Sequence, residues 1–163
     1  MTIHMVVIGY VIVARMGELL LAHRHTRRLR ARGGFEVGRG HYPLIVVLHL
    51  AWLACLAILI PTDTPPDQYV LAAFAVVQVG RFWVLRSLGE RWTTRIIVVP
   101  GDPLVQRGPY RWCRHPNYLV VCAEIALLPL AFGAWQIALL FSFLNAVLLA
   151  HRIKTEQRAL STA

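Results

Sequence analysis

The sequence predicts an all-α integral membrane protein with about five transmembrane helices, from where its apolar residues gather and where its charges fall. Hydrophobic residues make up 57% of the 163 positions and mean hydropathy is +0.55, above the usual share of a soluble globular domain. The excess lies in runs 2–22, 43–60, 69–88, 117–132 and 134–150, each roughly 16 to 21 residues long, near the ~20 that a helix needs to cross ~30 Å of hydrocarbon. By length the chain is one domain, 1–163, with three N-terminal helices over 1–88 and a polar loop, a helical hairpin and a C-terminal helix over 89–163.

The net charge of +9 would point to nucleic acid in a soluble protein, so its placement decides. Positive side chains gather in three segments: Arg24, Arg27, Arg28, Arg30, Arg32 and Arg39; then Arg91, Arg95, Arg107, Arg111 and Arg114; then Arg152, Lys154 and Arg158. The segment 61–68 holds only Asp63 and Asp67, and the turn at Gly133 holds no charge. Five spans accommodate this alternation with the N-terminus outside and the basic segments and C-terminus in the cytoplasm. The basic charge therefore reads as topology, with some of it available to anionic lipid, and no nucleic-acid partner is expected.

Taken in order, the first run lacks a basic start and a small-residue cleavage site, so it reads as a span and not a signal peptide. Arg15 and Glu18 lie three apart on one face in its cytoplasmic half, either as a local ion pair or as part of a site lining. The basic stretch from Ala22 begins as a helical extension until Gly33, Gly34, Gly38 and Gly40 break it. Those glycines read as turn residues, because neither a strand nor a Gly-Lys-Ser/Thr ending accompanies them. His23, His25 and His41 sit among arginines, which disfavour a bound cation, so no metal site is expected. The second span opens at Pro43 and carries His49, read as a satisfied polar group between helices. In the third, Arg86 can snorkel, whereas Arg81 lies about 7 Å deeper at 1.5 Å per residue and requires Glu18 or Glu124 as a partner. The stretch 89–99 reads as a short surface strand or an interfacial segment, with Trp92 at headgroup level. The three cysteines, Cys55, Cys113 and Cys122, are isolated and form neither a disulfide framework nor a metal spacing.

The segment 102–118, DPLVQRGPYRWCRHPNY, carries the most chemistry. Its prolines, Pro103, Pro109 and Pro116, exclude one continuous helix because each removes an amide donor. Gly108-Pro109 marks a turn, and Pro116 suits the first position of a following helix. A hairpin of helices turning at Gly133 then returns the chain to the same membrane face. RHPNY and RIKTE become neighbours although about 40 residues separate them. Arg152 and Glu156 share a helical face, and by themselves read as an ordinary surface pair.

GPYRWCRHPNY, followed by an apolar hairpin and RIKTEQRAL, resembles the isoprenylcysteine carboxyl methyltransferase family of membrane enzymes that use S-adenosyl-L-methionine. The strong match covers about 95–160, while RMGELLLAHRHTRRLRARGG and HYPLIVVLHLAW look like a bacterial branch associated with methylation of polyketide lipids. The resemblance implies a cofactor pocket made by Asp102, Pro103, Leu104, Val105, Tyr110, His115, Pro116, Asn117 and Tyr118, with Glu156 closing it. It gives Arg152 and Glu156 the catalytic positions, Arg152 facing the methyl acceptor, and makes Arg95 a further cofactor contact. The chain departs from the family at Val120, often Gly, and at Gln157, often a second Glu, which leaves Glu156 as the carboxylate there.

That cofactor combines a sulfonium, an amino-acid end and an adenosine. Tyr110 and Tyr118 supply faces for the cation or the ring, His115 and nearby amides bonds for the carboxylate, and Glu156 an acceptor for ammonium or ribose. Trp112 reads as an interfacial anchor. A carboxylate acceptor needs no base, whereas a phenol or enol would use Glu156 or His115. The expectation is an O-methyltransferase for a lipophilic acceptor, either isoprenylcysteine-like or a polyketide lipid such as an alkylpyrone or alkylresorcinol. An NADPH-dependent membrane reductase sharing the RHPxY loop, and a non-enzymatic membrane protein whose loop caps its helices, are the competing readings.

Overall fold

Each predicted apolar run forms a helix in the computed structural model, which describes residues 2–161. The side chains of His41, Leu160 and Ser161 fall outside the described residues, and with them the reading of His41. Helix α1 covers Ile3–Ala31, α2 Tyr42–Leu59, α3 Gln68–Leu88, α4 Pro116–Ala131 and α5 Trp135–Ser161. Two three-residue strands, β1 (Phe35–Val37) and β2 (Ile96–Val98), pair antiparallel with Glu36 opposite Ile97.

Local chemistry sets most boundaries. Leu and Arg are good helix formers and no glycine or proline lies between Ala22 and Gly33, so α1 runs nine residues past the predicted 2–22 span, to Ala31. At Gly34 an added Cβ would lie 2.7 Å from the Leu29 carbonyl oxygen and 3.1 Å from Ile97 Cγ2, so β1 leaves α1 through a gap that only glycine fits. Asp67 caps α3 by accepting from the amides of Tyr69 and Val70 at 2.9 and 3.1 Å. Pro116 occupies the first turn of α4, where its missing amide costs nothing.

Among the described residues four helices are long and apolar enough to cross a membrane, and α4 is a shorter apolar helix. At 16 residues, α4 reaches about 24 Å, less than the hydrocarbon thickness. Its partner in the hairpin is longer: the apolar run 134–150 and the C-terminal helix are one unbroken α5 of 27 residues, because good helix formers follow the apolar half without a breaker. The chain is therefore an integral membrane protein with four long helices and a shorter one packed between α3 and α5. The loops at one end meet where the Asp67 amide bonds the Ala131 carbonyl at 2.7 Å. At the other end lie the sheet, the loop before α4 and the last turns of α5, which contact both strands.

The apolar centre includes Ile8, Val11, Trp52, Leu56, Phe74, Ile125, Leu128 and Phe141. Large apolar side chains such as Val13, Ile58, Val76, Val79 and Phe143 face outward, as a lipid-facing surface allows. Since lipid tails are as apolar as these side chains, packing and polar links must supply the specificity of helix pairing. His49, expected as a satisfied polar group between helices, instead donates Nδ1–H to the Ile45 carbonyl of its own helix at 2.8 Å.

The principal link joins α1, α3 and α4. Arg81 reaches Glu18 through Nε and Nη2, both at 2.5 Å, and Glu124 through Nη1 at 2.8 Å. Arg15 bonds Glu18 at 2.7 Å and both Glu124 oxygens at 2.8 Å. Gln78 adds an N–H to Glu124 at 2.9 Å. Both partners predicted for Arg81 are thus engaged, and the Arg15–Glu18 pair is one edge of a neutral four-charge network. Arg81 and Glu124 are buried, so removing one carboxylate leaves guanidinium charge uncompensated in a low-dielectric setting. Glu124→Ala is expected to cost about 3–5 kcal/mol, read as a lowered melting temperature of detergent-solubilised protein. Melting unchanged from the parent would contradict a structural role for the network.

Candidate functional site

The three prolines of 102–118 each take up the role that their chemistry allows. Pro103 offers its carbonyl to the Arg91 guanidinium, Pro109 lies in a 3-10 turn (Gly108–Arg111), and Pro116 opens α4. The loop is tied down by Arg91 to Asp102 at 2.7 Å, by Arg32 to Asp102 at 3.6 Å, and by Arg107 Nε to the Ser87 carbonyl at 2.7 Å. Gly108 adopts φ 58° against Ser87 and Trp83. A Cβ would collide with the Ser87 hydroxyl, so the turn docks on α3 only with glycine there.

The docked turn and the start of α4 bring the predicted residues onto the end of α5. Tyr118 donates its hydroxyl to Glu156 Oε2 at 2.5 Å and accepts from Arg152 Nε at 3.0 Å. Arg152 also donates from Nη2 to the Thr94 carbonyl at 2.9 Å. The His115 ring stacks on Tyr118, 5.2 Å between centroids at 15°, and its Nδ1 lies 3.9 Å from Glu156 Oε2. RHPNY and RIKTE are neighbours, as the hairpin requires.

These groups line a cleft of about 160 Å³ together with Tyr110, Asn117 and the β2 segment. Burial, then the nearby Glu156 and Tyr118, raises the Tyr110 phenol above its ordinary range, so it stays protonated and serves as a donor, not a base. Asn117 Oδ1 is buried without a hydrogen-bond partner among the described residues, an acceptor available to a ligand.

Other predicted positions fall elsewhere. Pro103, Leu104 and Val105 line an adjoining, more open cleft that shares Leu88 and Arg91 with the first. Arg91 stands between the two and holds Asp102. Pro116 is buried at the helix start and serves geometry. Trp112 is 75% exposed and packs near Trp83, in keeping with an anchor.

Trp92 departs from its expected place at headgroup level, since only 4% of it is exposed. It sits at the cleft wall with its ring under the Arg81 guanidinium at 5.9 Å, and its carbonyl accepts from buried His25 Nδ1 at 2.9 Å. Its polar neighbours in GERWTTR supply much of the wall, including Arg91, Thr93 and Arg95. Sequence reasoning passed over all of these except Arg95, although a polar, aromatic stretch beside apolar β2 is a signal of a lined cavity.

Glu36 was also missed. From β1 it bonds Arg95 Nη1 at 2.6 Å, with Arg30 at 2.5 Å and Arg39 at 3.5 Å. Burial by itself would raise this carboxyl, but the Arg95 hydrogen bond and the charges of Arg95, Arg30 and Arg39 outweigh it and hold the group below its usual value. The folded state then takes up this proton less readily than the unfolded chain. The carboxylate's stabilisation is complete above the unfolded value and is lost as pH falls through the folded one. Glu36→Gln is expected to melt below the parent at neutral pH, with the gap closing once the medium is more acidic than the ordinary carboxylate value of 4.5. A gap of constant size across that acid range would contradict the assignment.

Residues 70–162 match the model of the isoprenylcysteine carboxyl methyltransferase (ICMT) family, a segment from α3 to the end of α5. Similarity to individual proteins extends over nearly the whole chain. The uncharacterised protein YpbQ of Bacillus subtilis (strain 168) is 43% identical over 157 residues, covering 94% of each chain. An uncharacterised protein of Haemophilus influenzae is 27% identical over 158 residues, covering 93% of this chain and 91% of its own. No solved structure matches.

Proposed function

The chain belongs to the isoprenylcysteine carboxyl methyltransferase family, and from that premise we propose that it methylates an oxygen of a lipophilic acceptor with S-adenosyl-L-methionine. The acceptor oxygen is a carboxyl or hydroxyl, on an isoprenylcysteine-like molecule or a polyketide lipid such as an alkylpyrone or alkylresorcinol. The observation that carries this reading is the Tyr118 hydroxyl bridging Glu156 and Arg152, which makes one polar locus from the start of α4 and the end of α5. The basic segments favour the cytoplasmic side of the inner membrane for this locus, where a soluble cofactor would arrive from the cytosol and a lipid from the bilayer.

The groups present suit such a cofactor. Arg95 and Arg114 at the cleft offer donors for a carboxylate. Glu156 and the unpartnered Asn117 Oδ1 accept from ammonium, ribose or adenine donors, and Tyr110 and Tyr118 present ring faces to a sulfonium. When bound, S-adenosyl-L-methionine supplies an electrophilic methyl whose transfer discharges the sulfonium. The protein's part is alignment and exclusion of water. Arg152, anchored by Thr94 and Tyr118, orients an anionic acceptor oxygen. Glu156, or His115 beside it, takes the proton from a phenolic or enolic acceptor, whereas a carboxylate acceptor makes no such demand. The residues 102–105 form the flank of the pocket beyond Arg91.

Binding tests the reading directly. S-Adenosylhomocysteine at ~100 times its dissociation constant is expected to stabilise the detergent-purified protein by ~2.7 kcal/mol. His115→Ala and Glu156→Ala are expected to remove most of that gain, because pocket halves from both segments are needed. No stabilisation of the parent would sink the proposal, and stabilisation by NADPH instead would support a reductase. Tyr118→Phe should lower methyl transfer to a lipid extract about tenfold or more, since the hydrogen bonds lost involve charged groups worth ~1.5–3 kcal/mol each. Mass spectrometry of the methylated product identifies the acceptor.

A further inference from the structure

Glu36 lies outside the segment matched by the family model, and the cleft does not include it. Its side chain is nonetheless only 2% exposed, enclosed by guanidinium groups of Arg95, Arg30 and Arg39. The strand register places Glu36 opposite Ile97, beside the wall that β2 contributes to the cleft. Arg95 does line the cleft, with its guanidinium 4.5 Å from the Tyr42 ring centroid on one side and Glu36 bonded to Nη1 on another.

A half-exposed arginine on a flexible stem samples many rotamers. Here a carboxylate and an aromatic face fix the guanidinium, and among the described residues Nε and Nη2 have no hydrogen-bond partner. One carboxylate against three guanidinium groups also leaves a local charge of +2. Arg95 is therefore oriented without having its attraction for an anion cancelled.

We propose that Glu36 is a positioning residue that holds Arg95 as receptor for the carboxylate of the amino-acid end of the adenosyl ligand. This rests on the function proposed above, and it assigns a part of the ligand site to β1, upstream of the family-matched segment. Arg30 and Arg39 keep Glu36 ionised and in place.

Two ligands separate positioning from a general structural role. S-Adenosylhomocysteine carries the amino-acid end, and 5′-methylthioadenosine shares the adenosine and thioether but lacks that end. In full-length detergent-purified protein, calorimetry is expected to show Glu36→Ala and Arg95→Ala each weakening S-adenosylhomocysteine about tenfold. Methylthioadenosine affinity should stay within about twofold of the parent, because charge-assisted bonds to the carboxylate are the ones removed. The double variant should bind no more weakly than Arg95→Ala alone, since coupled residues do not add, and Glu36→Asp should recover part of the loss. If Glu36→Ala does not fold, Glu36→Gln replaces it in the same comparison.

Equal weakening of both ligands, additive losses in the double variant, or unchanged S-adenosylhomocysteine binding would each overturn the proposal. Failure of the parent to bind either ligand overturns the adenosyl-ligand reading itself, which is a separate and visible result.

Discussion

Arg81, buried in α3, is held by Glu18 of α1 and Glu124 of α4, and Arg15 closes the same circuit. In a bundle surrounded by lipid, sliding one apolar helix along another exchanges like contacts for like. A charge network has no such tolerance, because a shift of one turn, about 5.4 Å, would strand two guanidinium groups or two carboxylates in hydrocarbon. The network therefore sets the relative heights of α1, α3 and α4, and with them everything at the end of the bundle that carries the cleft.

The consequences run along each helix. Because α1 continues unbroken to Ala31, its height decides where His25 meets the Trp92 carbonyl and where Arg30 meets Glu36. The height of α3 decides where Ser87 receives Arg107 and where Gly108 docks. That of α4 decides where His115 and Tyr118 stand relative to the end of α5. Trp92 joins the two regions physically, since its ring lies under Arg81 while it borders the cleft. The charged centre and the polar cleft are adjoining parts of one construction.

A short α4 suits this arrangement. It begins at Pro116 beneath the cleft and ends where Gly133 turns the chain at φ 71°, so its first turn lies below the surface that the longer α5 reaches. The last turns of α5 then stand beside β2 and present Arg152 and Glu156 to Tyr118. Strand β2 forms part of the cleft wall, and β1, from the segment upstream of α2, pairs with it.

Much of this was legible in the residues alone, wherever the physics is local. Hydropathy marks helices because a span must be apolar for about 20 residues, and proline marks loop positions because it lacks an amide. The need of Arg81 for Glu18 or Glu124 followed from depth, and the meeting of RHPNY with RIKTE from a hairpin that must return to its starting face. What the tertiary structure alone decided depends on contacts between distant segments. Glu36 finds Arg95 only because β1 pairs with β2 across some 60 residues, a register that three-residue strands do not advertise. Trp92 is buried, not interfacial, because it is covered from α1 and α3. Residues 103–105 border a neighbouring cleft because Arg91 turns toward Asp102. The sequence by itself determined which segments enter the membrane and which two motifs share an end. The packing of charges inside the bundle decided how those ends meet, since only three-dimensional proximity tells which carboxylate neutralises which guanidinium.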